Sequence, residues 1–71
     1  MTNTQELEVA IVRANKTKKS IAQTLGISEM SFFRKANNLT EFKASEIVAL
    51  TKLLDITDSQ RDTIFFAQDS D

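Results

Sequence analysis

Residues 26–35 read GISEMSFFRK, and four residues before Gly26 stands Ala22. That spacing decides the fold. A small side chain at position 22 lets two helices cross closely, and glycine makes the turn between them. Ile21, Leu25 and Ile27 then seal the corner with apolar surface. Phe32, ten residues after Ala22, becomes the inward anchor of the second helix. The expectation is a tight helix-turn-helix at about residues 17–36, against the plainer alternative of a generic helical hairpin.

Outward from this pair the usual punctuation is sparse, since the chain has a single glycine and no proline. Capping residues and apolar spacing therefore locate the breaks. Leu7, Ala10, Ile11 and Ala14 recur at i, i+3, i+4 and i+7 and mark one face of a first helix ending near Asn15. Thr17 caps the second, with Ile21, Ala22 and Leu25 on its buried side and Gly26 free to turn left-handed. Ser28 caps a third, short helix reaching about Ala36, which Asn37 and Asn38 end.

Leu39 to Lys43 reads as irregular, with Leu39 and Phe42 tucked under the domain. A fourth helix runs from about Ser45 to Leu54 and carries Ile47, Leu50, Leu53 and Leu54. Thr57 with Gln60 three residues on forms a capping box for a fifth, roughly Asp58 to Phe66, bearing Ile64, Phe65 and Phe66. Phe66 is a candidate to lie outside the core stripe and offer a second contact surface. The tail AQDSD, residues 67–71, reads as frayed. The sum is all-α: residues 1–71 as one domain of five short helices, with no period-two strand pattern. With the helix-turn-helix pair second and third, the arrangement expected is that of compact repressor and Cro domains.

Composition narrows the chemistry. Without cysteine or histidine there is no disulfide framework, no thiolate metal site and none of the commonest neutral-pH acid/base groups. The carboxylates Glu41, Glu46, Asp55, Asp58 and Asp62 are scattered over helical surfaces, and no spacing forces a pair together. Catalysis, a metal, a cofactor and a small-molecule substrate all lack support. The start MTNTQELEV has no basic stretch leading into a long apolar run, and no apolar segment is long enough to span a bilayer. A soluble, cytosolic protein is expected.

Net charge is −1, yet the halves differ in sign: +3 through Lys43 and −4 from Ala44 onward. An isoelectric point near 5.3 argues against strong non-specific affinity for nucleic acid, which needs many phosphate contacts.

The run KKSIAQTLGISEMSFFRKANNLTEFKASEIVALTKLLDIT, with the terminal IFF, resembles the small helix-turn-helix regulators of temperate phages of Gram-positive bacteria. Within them it is most similar to the antirepressors of lactococcal phages, and the likeness covers essentially the full length. The resemblance implies a bacterial cytoplasmic setting and a phage genetic switch. Its partner would be the lysogenic repressor, bound through the repressor's DNA-binding domain, with weak or assisted contact to operator DNA. By the same resemblance the groove-facing positions are Ser28, Glu29, Met30, Phe33 and Arg34, and the candidates to meet phosphates are Lys16, Thr17, Lys18, Asn38 and Lys43.

These outward residues make a poor DNA reader. Glutamate is repelled by phosphates, and methionine and phenylalanine can touch only a thymine methyl, which leaves Arg34 as the one strong guanine reader. Apolar anchors rimmed by charge suit a protein interface instead. Phe33 is expected to be partly exposed, because adjacent Phe32 and Phe33 point about 100° apart on a helix, although inward packing beside Phe32 is the blander reading. Met30 reads equally as core filler or as contact. Lys16, Lys18 and Lys19 are most simply a solvated helix start. Three functions follow: a partner-binding antirepressor, a Cro-like homodimer reading operator DNA with Arg34 and Ser28, and an antitoxin-like component that nothing specific favours.

Overall fold

The computed structural model describes residues 1–67, and among them every regular element is a helix. In chain order these are α1 (Thr4–Arg13), α2 (Lys18–Leu25), α3 (Glu29–Ala36), α4 (Ala44–Leu53) and α5 (Asp58–Phe65). Four begin on a short polar side chain that accepts from an otherwise orphaned main-chain N–H. Asn3 accepts from Glu6, Thr17 from Ser20, Ser28 from Ser31 and Thr57 from Gln60. Gln60 also reaches back to the Thr57 N–H at 2.8 Å, completing the expected capping box. Helix α4 begins one residue earlier than its pattern suggests. Lys43 holds the cap position, and the Glu46 carboxylate accepts its N–H at 2.8 Å.

The first four helices all stop in the same way. Asn15, Gly26, Asn38 and Asp55 take φ of 56°, 72°, 65° and 52°, the left-handed region. Each donates its N–H three residues back, and the following residue donates five back, so the last carbonyls of the helix are satisfied. Three of these stops use Asn or Asp in place of glycine, which those side chains tolerate better than most.

This closure also corrects the expectation for Leu39. The Leu39 N–H donates to the Arg34 carbonyl at 2.9 Å as part of the closure of α3, and Leu39 is 69% exposed. Phe42 does turn inward, stacking edge-on against Phe32 at 5.9 Å and Phe65 at 5.4 Å between ring centroids. Those three rings tie α3, the α3–α4 connection and α5 together.

One core results. Leu7, Ile21, Phe32 and Leu50 are fully buried, with Ala10, Ile11, Ala22, Ala36, Leu54, Ile64 and Phe65 around them. Ala14, Leu25, Ile47 and Leu53, expected on buried faces, are partly buried against it. Phe66 stands outside the core, more than half exposed. Helix α2 packs on α3 and α4, and α5 on α1 and α4.

The chain start closes the structure. Asn3 N–H donates to the Ile64 carbonyl at 2.6 Å, and Ala67 N–H to the Met1 carbonyl at 3.1 Å. Of the tail expected to fray, Ala67 is therefore held, and residues 68–71 lie outside the described residues. None of the helices among the described residues is long and apolar enough to cross a membrane.

Candidate contact face on the third helix

Helix α3 buries Phe32 and Ala36 and turns its other side outward. Counting about 100° per residue from Glu29, Phe33 falls near 40°, Met30 near 100° and Arg34 near 140°. All four are exposed, and the ordering places the two apolar side chains between an acidic edge and a basic one. Phe33 is 55% and Met30 56% exposed, whereas Phe32 is 1% exposed. The adjacent phenylalanines divide the work, and Met30 is no core filler.

Beside this stripe a cleft of about 270 Å³ separates α3 from α1 and the start of α2. Phe32 and Ala36 line its depth, Met30 and Phe33 its wall, and Glu8, Lys18, Glu29 and Asn37 complete the lining. With a water's share of liquid volume near 30 Å³, the cleft has room for several waters or one large side chain. On the side facing α3, Glu8 and Lys18 pair with each other at 2.8 Å with both side chains well exposed, an arrangement worth little to stability. A second cleft, of about 180 Å³, lies between α1 and the α4–α5 corner near Glu6, Arg13, Asp55 and Gln60. No residue singled out from sequence as a contact is there.

The remaining candidates scatter. Ser28 and Thr17 use their hydroxyl oxygens as helix caps, at 3.0 and 3.1 Å, though both side chains stay at the surface. Lys16 and Lys43 are exposed, and Lys18 is engaged by Glu8. Asn38 has both amide atoms committed to Thr2: its Oδ1 accepts the Thr2 N–H at 2.8 Å and its Nδ2 donates to the Thr2 carbonyl at 2.9 Å. That pairing makes the residue a clasp of the amino terminus.

Sequence reasoning missed the support beneath α3. Lys35 Nζ donates to Glu46 Oε1 at 2.7 Å, with Glu46 only 7% exposed, and the same oxygen accepts the Lys43 N–H. Burial alone would raise the Glu46 carboxyl. The hydrogen bonds from Lys35 and the Lys43 backbone, with the charges of both lysines, more than offset it and hold the group below the ordinary carboxylate value. This pair pins the last turn of α3 to the first turn of α4. Glu46 sits at the third helical position, where a capping-box glutamate belongs, but lysine at the cap position disguises the pattern. The cleft left no local signal, because Glu8 approaches α3 only through tertiary packing.

Among the described residues no group of three or more carboxylates is placed to hold a metal ion, and no buried side-chain polar atom lacks a partner. No family model matches the sequence, and no curated protein and no solved structure matches it either.

Proposed function

We propose that the chain is a non-enzymatic transcriptional regulator, a repressor/Cro-like helix-turn-helix domain whose α3 docks on another protein in preference to DNA. The partner is the DNA-binding domain of a phage lysogenic repressor. Docking there competes with operator DNA, and the pair acts together as co-repressor of the lysogenic promoter, in the cytoplasm of the bacterial host. The observation that carries the reading is the exposure of Met30 and Phe33 side by side on the outward face of α3, between Glu29 and Arg34. Two large apolar side chains in water are a cost that an apolar anchor pocket on a partner removes. An acidic edge complements the basic surface that a DNA reader presents.

The alternative, a Cro-like homodimer on operator half-sites, rests on Arg34, Ser28 and the lysines at the start of α2. It draws less support, since Arg34 is the one strong base reader on the outward face of α3. Co-purification with the repressor, followed by footprints of each protein alone and of both together, separates the two. Tight, sequence-specific footprinting by this protein unaided supports the homodimer and removes the antirepressor reading.

A further inference from the structure

We infer that the cleft beside α3 takes the side chain of a partner arginine, its stem lying on Phe33 and its guanidinium reaching Glu29 and Glu8. The inference rests on the reading of α3 as a partner-binding face, and it names the side-chain chemistry which that face selects. The cleft has an apolar floor and wall in Phe32, Ala36 and Phe33, and a rim bearing two carboxylates and one ammonium. Glu8 answers that ammonium, on Lys18, at 2.8 Å. Glu29 takes part in none of the ion pairs among the described residues.

Three kinds of occupant can be compared. A purely apolar side chain would match the wall but would strip water from Glu29 without giving it a partner, which is unfavourable. A carboxylate or phosphate would meet the like charges of Glu29 and Glu8. A long basic side chain satisfies both surfaces, because its alkyl stem covers apolar area while its head stays at the charged rim. Arginine fits better than lysine: its planar guanidinium offers a fork of donors that the carboxylate oxygens of Glu29 and Glu8 accept, where lysine presents a single point charge. The exposed Glu8–Lys18 pair is weak enough to be exchanged for an incoming cation.

The test uses the full chain labelled with nitrogen-15. It is titrated with a short alanine-based helical peptide carrying one arginine between two leucines, and with the same peptide carrying citrulline. Citrulline keeps the shape and removes the charge. The expected result is amide shifts confined to Glu8, Glu29, Phe33 and their neighbours with arginine, and loss of most of that response with citrulline. Glu29→Gln should weaken the arginine peptide about tenfold. Equal responses to the two peptides, or shifts elsewhere on the surface, overturn the inference.

A parallel measurement with a repressor DNA-binding domain keeps the two ideas apart. Binding lost in Phe33→Ala but unchanged in Glu29→Lys, with a silent peptide titration, removes the cleft and leaves the partner reading standing. A responsive cleft without any repressor binding does the opposite.

Discussion

Lys35→Met should destabilise the protein more than any surface substitution of equal size. In the parent the Lys35 and Glu46 side chains are 12% and 8% exposed and lie 2.7 Å apart. Removing the lysine leaves Glu46 buried with one main-chain donor, the Lys43 N–H at 2.8 Å. Deleting one partner of a fully buried pair costs about 3–5 kcal/mol. The surviving hydrogen bond and slight exposure bring the expectation to about 2–3 kcal/mol, or a melting point lower by roughly 10–20 °C in a domain of this size.

The loss depends on pH, and its sign follows from Glu46. Lys35 and the Lys43 N–H hold its folded value below that of an ordinary glutamate, so the carboxylate contributes stability that is fully present above the unfolded value and is lost as pH falls through the folded one. The gap between parent and Lys35→Met should therefore be largest near neutrality and shrink as pH drops below about 4.5. Circular-dichroism melts from neutral to acid pH measure both parts. A variant melting within a degree or two of the parent at neutral pH, or a gap that widens in acid, would refute the reasoning.

The adjacent phenylalanines should respond oppositely to truncation. Phe32→Ala empties the core for a loss of about 3–5 kcal/mol and should leave a largely unfolded chain, whereas Phe33→Ala should melt within about 0.5 kcal/mol of the parent. Asn38→Ala forfeits two hydrogen bonds to Thr2 and strains a left-handed position, together about 2 kcal/mol, while Asn38→Gly keeps the conformation and should lose less. Equal melting points for those two variants would remove the conformational part of the argument. Thr57→Ala should cost about 1 kcal/mol by uncapping α5, read as loss of helical signal at a lower temperature.

Much of this architecture is legible in the sequence because its signals are local. Thr17, Ser28 and Thr57 announce helix starts within four residues, and Gly26 announces the turn that places Phe32 inward. The face of α3 is legible for the same reason, since helical spacing alone sends Phe32 and Phe33 to different environments. The misreadings are tertiary. Leu39 looks like core by composition, yet in the turn that the left-handed Asn38 makes at the end of α3 its side chain is left in solvent. Glu46 reads as one more surface carboxylate until Lys35 arrives from the preceding helix. The cleft beside Phe33 needs Glu8 from α1, and no spacing rule brings that residue to α3.

The most direct test of the account is the dissociation constant of this protein for the DNA-binding domain of the lysogenic repressor, measured for the parent and for Phe33→Ala. The account predicts specific binding by the parent and at least a roughly 30-fold weakening in the variant, as for an anchor worth about 2 kcal/mol, with the melting point unchanged. Equal affinity of a folded Phe33→Ala, or no complex with the parent at all, would contradict it.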